Sequence, residues 1–201
     1  MPAPTVRVWV VGLDTERQQF RPLIHRPDPE DKRLSFNNLV EIHVLRALRT
    51  KHDVSMAGVR KALRYAEARC GVSRLLIHRD LMVGAGEILL DKYTELISLS
   101  KGGQLALRNV LTAHLKRVIY DPQGVPIRLY PWIPYSSEAP RKTIVLDPRI
   151  GFGNPVTERL GISTAVLASR IDAGETVEDL VADYGLDRGE VEDAIQFERA
   201  A

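Results

Sequence analysis

The stretch LSFNNLVEIHVLRALRTKHDVSMAGVRKALRYAEARC, from Leu34 to Cys70, decides the fold class of this chain. Phe36, Leu39, Val40, Val44, Leu45 and Leu48 recur at helical spacing behind Ser35, a candidate N-cap. Met56, Val59, Leu63, Ala66 and Cys70 repeat three or four apart behind a second candidate cap, Ser55, and Gly71 supplies a stop. The spacing predicts two helices joined by a short turn that holds Lys51 and His52. The second helix carries Arg60, Lys61, Arg64 and Arg69 opposite its apolar stripe. A helix pair with a cationic face is one way small proteins meet nucleic-acid backbones. It is also how an ordinary helix meets water.

Composition bounds the rest. A chain of 201 residues forms one large or two small domains, and 44% apolar with 27% charged residues is ordinary for a globular protein. No apolar run approaches the length of a membrane-spanning helix, so no membrane partner is expected. The start, MPAPTVRVWVVGLDTE, has a short apolar run and no basic region ahead of it, unlike a secretory signal. A cytoplasmic protein is expected. The single Cys70 cannot form an internal disulfide and lies on an apolar stripe, where a packed thiol is the simplest reading. The formal charge of +2 is uneven: residues 1–140 carry +7 and residues 141–201 carry −5. Two modules with different partners follow from that asymmetry.

On the N-terminal side, Thr5 reads as a cap and Gly12 as a stop around a short helix, although the valine-rich run would also suit a strand. Residues 14–33 form an irregular basic segment with Arg17, Arg21, His25, Arg26, Lys32 and Arg33, broken by Pro22, Pro27 and Pro29. It is either a solvated loop or a wing that touches phosphates. On the C-terminal side the pattern predicts a hairpin over 82–90, a strand over 95–99 and an amphipathic helix over 104–118 with Leu107, Val110, Leu111, Leu115 and Val118 on one face. A turn at 121–124 precedes an extended run over 125–130, and prolines then mark a linker.

The last module begins with a short strand over 142–147 and a loop-rich stretch over 148–160. Three helices follow, capped by Ser163, Thr176 and Asp187, with Leu167, Ile171, Leu180, Val181, Leu186, Val191 and Ile195 as their core. The glycine-containing turn at Gly185 gives the last two helices a helix-turn-helix form. Glu190, Glu192 and Asp193 read as a solvated acidic face. The expected fold class is mainly α with small β hairpins (α+β).

No catalytic constellation emerges, and no enzyme is expected. Gly151-Phe152-Gly153 lacks the third glycine of a dinucleotide fingerprint, since Val156 stands there. The five histidines are scattered, with neither HExxH nor a cysteine pair, so neither a metal site nor a cofactor is expected. No serine lies in a GxSxG setting.

Four segments resemble the DNA-binding part of large VapB-type antitoxins: PTVRVWVVG at 4–12, LSFNNLVE at 34–41, GGQLALR at 102–108 and LYP at 129–131. DPRIGFGNPV at 147–156, with Gly161-Ile162, Gly174-Glu175 and Asp183-Tyr184-Gly185-Leu186, resembles the domain-of-unknown-function family 433. The second set is the more specific. The resemblance implies a winged-helix, MerR-like N-terminal domain over 1–135, a linker over 136–142 and a helix-turn-helix C-terminal domain over 143–201. In that family pattern a helix precedes Thr5, where this sequence has Met1-Pro2-Ala3, so a motif without its first helix is expected.

The resemblance also implies roles. Thr5 and Arg7 would enter a DNA groove, Arg17, Arg21, Arg26, Lys32 and Arg33 would form the wing, and Arg60, Lys61 and Arg64 would meet phosphates. Arg141, Lys142, Glu190 and Asp193 are the candidate partner-binding residues. The implied function is an antitoxin that binds operator DNA to repress its operon, as a homodimer, and neutralises a PIN-like ribonuclease toxin by covering its acidic, metal-binding site. The alternative is an adaptor or scaffold that uses both helical modules for protein contacts and binds no DNA.

Overall fold

In the computed structural model the described residues are 3–14, 19–28, 30–31, 33–50, 56–71, 73–78, 88, 109, 112–131 and 141–200. They are mainly helical with small antiparallel sheets, an α+β architecture. No described helix is long and apolar enough to cross a membrane. The chain divides into two compact units, Met1–Lys116 with Tyr120–Pro126, and Arg117–Ile119 with Ile127–Ala201.

The first unit opens with α1 (Ala3–Val11), followed by β1 (Leu13–Asp14) paired antiparallel with β2 (Gln19–Phe20). The helix begins at Ala3, two residues before the expected cap. Pro4 sits in the first turn, where its missing N–H forfeits no hydrogen bond, so Thr5 is a helical residue and not a cap. The valine-rich run is helical because that geometry buries Trp9 and Val10 in the core. Gly12 ends the helix: its φ is +87°, its N–H donates to the Val8 carbonyl at 3.1 Å, and an added Cβ would stand 2.4 Å from the Phe20 carbonyl oxygen. The Trp9 carbonyl accepts from the N–H groups of Leu23 (2.8 Å) and Ile24 (3.0 Å). The proline-rich segment is therefore docked on α1, with Ile24 fully buried.

Helices α2 (Phe36–Thr50) and α3 (Met56–Cys70) form the predicted pair. Ser35 and Asn38 cap α2 reciprocally: the Asn38 N–H donates to Ser35 Oγ and the Ser35 N–H to Asn38 Oδ1, both at 3.2 Å. Gly71, at φ +66°, ends α3. Val44, Leu45 and Leu48 from α2 and Val59, Leu63 and Ala66 from α3 share one core with Trp9, Ile24, Leu75, Leu76 and Leu115. Each large apolar side chain there contributes roughly 1.5–3 kcal/mol by burial, which outweighs any capping term.

The helix expected over 104–118 ends early. Among its described residues, 109 and 112–115 are helical, a turn follows, and Val118 begins β3 (Val118–Tyr120). The run Val118-Ile119-Tyr120 pairs in a sheet with β4 (Pro126–Leu129), a use its β-branched and aromatic residues favour. The predicted turn stands between them, with the Gly124 N–H donating to the Asp121 carbonyl at 3.0 Å and the Val125 N–H to Asp121 Oδ1 at 2.8 Å. Arg17, Lys32, the turn at 51–54, Ser55, the Cys70 side chain, most of the hairpin at 82–90, the strand at 95–99, nearly all of 104–111 and the linker residues 132–140 lie outside the described residues.

The second unit holds β5 (Ile144–Val145) paired antiparallel with β6 (Val156–Thr157), then α4 (Thr164–Asp172), α5 (Val177–Tyr184) and α6 (Arg188–Arg199). The Leu129 and Leu146 backbones exchange hydrogen bonds at 3.0 and 2.9 Å. Buried Arg117 donates to the carbonyls of Tyr130 (2.7 Å), Pro131 (2.7 Å) and Arg141 (3.1 Å). These bonds are why residues before 136 belong to this unit. Thr176 and Asp179 form a capping box on α5, and Gly185 at φ +64° makes the turn into α6. The core is Ile144, Leu167, Leu180, Leu186, Val191, Ala194 and Ile195, with Ile171 and Val181 packed against it, as the periodicity predicts.

Candidate nucleic-acid and partner surfaces

In the first unit the structure separates cations that face solvent from cations that hold the fold. Arg7 projects from the exposed side of α1 and makes no ion pair among the described residues, while Thr5 on the same helix is half-buried. Lys61 and Arg64 are exposed on α3. Three other basic residues are committed internally. Arg26 Nη1 donates to the Asp31 carbonyl at 2.6 Å. Arg33 is exposed but forks onto Asp31, with Nε and Nη2 each 2.8 Å from Oδ2, and its side chain holds the Asp31 carboxyl below its ordinary value.

Arg60 departs furthest from expectation. It was expected on the solvated face of α3, yet it is only 9% exposed. Its guanidinium lies over the Phe20 ring, 5.6 Å from the centroid, and Nη1 donates to the Arg21 carbonyl. It joins α3 to β2 and the segment after it. Helical periodicity correctly set Arg60 off the apolar stripe but could not show that the β1–β2 hairpin would cover it. Burial disfavours its protonated form, and the Arg64 charge adds to that. Arg21, Arg60 and Arg64 line one cleft of about 650 Å³, together with His25, Arg74, Glu41 and Glu67.

Of the four candidate partner-binding residues in the second unit, Arg141 and Asp193 meet each other, whereas Glu190 and Lys142 have other partners. Asp193 is buried, accepting from Thr143 Oγ1 at 2.6 Å and from Arg141 Nη2 at 3.4 Å. Glu190 is buried too. It accepts from Arg159 Nη2 at 2.8 Å and from the Asp187 N–H at 2.8 Å, and the Arg159 and backbone bonds outweigh burial to hold its carboxyl below the usual range. Neither residue belongs to a solvated acidic face. Positions 190, 191, 193, 194 and 195 share the inward side of α6, and the two acids are tolerated there because arginines and a hydroxyl meet them. Arg141 is occupied by Asp193, and Lys142 lies over the Tyr130 ring at 4.9 Å. Among the acids that do face solvent are Asp172, Glu178 and Asp183, each paired with an arginine, and, less fully, Glu192.

A feature that periodicity could not reveal stands between β5 and β6. Asp147 is completely buried. It accepts from the Arg149 N–H (2.9 Å), Arg149 Nε (2.9 Å), Arg149 Nη2 (2.7 Å) and Arg128 Nε (2.8 Å). The Arg149 guanidinium, with the Arg149 N–H and Arg128, holds this carboxyl well below the usual carboxylate range despite its burial. The clamp anchors a tight loop in which Gly151, Phe152 and Gly153 all have positive φ, at 57°, 56° and 80°. Asn154 Nδ2 donates to the Gly151 carbonyl at 2.9 Å and closes the loop. Phe152 at its tip is 100% exposed. A left-handed conformation costs a non-glycine residue about 1–3 kcal/mol, and exposing phenyl surface forfeits burial. The GFG triplet was the available signal, once a strained turn rather than a dinucleotide loop was considered.

Comparison with known proteins follows this division. Residues 144–197, most of the second unit, match the family described as "Protein of unknown function (DUF433)". A Mycobacterium tuberculosis protein named "Uncharacterized protein Rv2308" is 26% identical over 98% of this chain and 84% of its own length. A second protein of that organism, named "Putative antitoxin VapB45", is 25% identical over 97% of this chain and 87% of its own length. The crystal structure of Rv2018 from M. tuberculosis superposes with a TM-score of 0.69 at 23% identity, covering 96% of this chain and 91% of that one, so the two share a fold. This chain is thus similar almost end to end to a protein that bears an antitoxin name.

Proposed function

We propose that this protein is an antitoxin of a type II toxin–antitoxin pair. The observation that carries the reading is the similarity, over 97% of the chain, to a protein named as an antitoxin. On this reading the first unit binds operator DNA as a MerR-like winged motif and represses the operon, with α1 and Arg7 in the groove and β1–β2 as the wing. Arg7, Lys61 and Arg64, which form no ion pair among the described residues, support it. The second unit binds a PIN-like toxin in the cytoplasm, stoichiometrically and without a catalytic group of its own. The fully exposed Phe152, held out by the Asp147 clamp at a cost to stability, supports a protein contact there.

The adaptor reading keeps one specific observation in its favour: Arg26, Arg33 and Arg60, three of the basic residues assigned to DNA, are already engaged within the first unit. One experiment separates the two. The full chain is co-expressed with the product of any small reading frame adjacent to its gene, and the purified material is tested on the DNA upstream of that gene. The antitoxin reading expects growth rescue, a stable complex and a shift of that DNA. It also expects Phe152→Ala to lose rescue while the DNA shift persists. Rescue without any DNA shift would favour the adaptor.

A further inference from the structure

The cleft of the first unit is lined by four arginines and two acids, and one of the acids, Glu41, is paired with Arg74. Glu41 accepts from Arg74 Nε at 3.0 Å, Arg74 Nη2 at 3.1 Å and Asn38 Nδ2 at 2.9 Å. Glu67 Oε1 accepts from the Leu75 N–H at 3.0 Å. Among the described residues no carboxylate pairs with Arg21, Arg60 or Arg64. Arg60 and Arg64 stand one helical turn apart on α3 and face the same space, a like-charge pair that repels within the helix. Arg60 Nε is buried without a hydrogen-bond partner. A native fold rarely leaves a buried guanidinium nitrogen unmet beside a second positive charge.

An anion resolves both deficits, and the lining narrows its kind. Two or three guanidinium groups match a phosphoryl group, with a charge of about −1.5 to −2 at neutral pH, better than a single carboxylate. Pro22, Leu23, Leu63 and Leu76 supply apolar wall beside the cations. The volume of about 650 Å³ suits a ligand of nucleotide size. We propose that this cleft, built by Arg21, Arg60 and Arg64, binds the phosphoryl group of a small phosphorylated molecule with an apolar or aromatic body. Because Arg60 also holds Phe20 and the Arg21 carbonyl, the ligand would brace the β1–β2 hairpin against α3.

The test is a calorimetric titration of the full chain with inorganic pyrophosphate at constant ionic strength. The wild type is expected to bind at one saturable site. Arg64→Glu should weaken binding by roughly tenfold or more, and Arg60→Lys, which keeps the charge but loses the fork, should also weaken it. Arg69→Glu, on the same helix but outside the cleft, should bind as the wild type does. Absence of saturable heat, or an equal loss in Arg69→Glu, overturns the proposal. A short random-sequence duplex then distinguishes the source of the phosphate. Simultaneous binding of duplex and pyrophosphate supports a free ligand, whereas displacement of pyrophosphate assigns the cleft to the DNA backbone and overturns the small-molecule site. A protein that binds pyrophosphate but no duplex would defeat the DNA reading and leave this one standing.

Discussion

Both units bury acids paired with arginine, Glu41 with Arg74 in the first, but they differ in the cations left over. In the first, Arg7, Arg21, Lys61 and Arg64 stand without a carboxylate partner among the described residues, and several of them face solvent. In the second, Asp147, Glu190 and Asp193 are buried, each met by at least one arginine. The −5 of residues 141–201 does not come from these three acids, because Arg141, Arg149 and Arg159 offset them within the same stretch. A charge counted along a sequence is equally consistent with a partner surface and with an internal pair. What separates them is burial, since a charge leaves water only where a counter-charge or hydrogen bonds replace its hydration.

The largest expected effect breaks this contrast from the second unit. Asp147→Ala should destabilise it by about 2–4 kcal/mol, because two guanidinium groups lose their shared acceptor and the Phe152 loop loses its anchor. The carboxyl is depressed in the fold, so its contribution is present above the unfolded value of about 4 and is lost as pH falls toward the folded value. Denaturant melts of wild type and variant should differ by a constant amount above about pH 5 and converge in stronger acid. A gap that widened on acidification would show that Asp147 is not the clamp described here.

The next effect sharpens the contrast from the first unit. On the proposed operator-binding reading, Arg7→Ala should weaken specific DNA binding by roughly 1–3 kcal/mol, whereas Arg33→Ala should change it little, since Asp31 already engages that side chain. Equal losses in a binding titration would mean that internal pairing does not predict which cations reach DNA. The smallest effect is local. Thr176→Ala removes the α5 capping box and should lower the stability of the second unit by about 1 kcal/mol. Hydrogen exchange confined to α5 should report it, and a loss spread over α4 and α6 alike would show that the three helices unfold as one unit.

Much was legible along the chain. The apolar periods of α2, α3, α5 and α6, the caps Ser35 and Thr176, and the stops Gly12, Gly71 and Gly185 were all readable, because helix formation and termination depend on residues a few positions apart. The α+β class and the core of the second unit followed from the same local rules. The start of α1 was misplaced because both Pro4, in a first helical turn, and Thr5, as a cap, satisfy local preferences at a helix entrance. Val118 changed from helix to strand because its partner in β4 stands several residues further on, beyond the reach of a helical period.

What only the tertiary structure decided concerns charge and exposure. Sequence determined that Arg60 lies off the apolar stripe, but β2, forty residues earlier, decided that it is covered. Sequence placed Glu190 and Asp193 on one helix, but Arg159, Arg141 and Thr143 decided that they could be buried. It contained Gly151-Phe152-Gly153, but the Asp147 clamp with Arg128 and Arg149 decided that Phe152 stands fully in solvent. The physical reason is common to all three. The period of a helix or strand is set by bonds along the chain, whereas the state of a charge or an exposed ring is set by whichever distant groups fold against it.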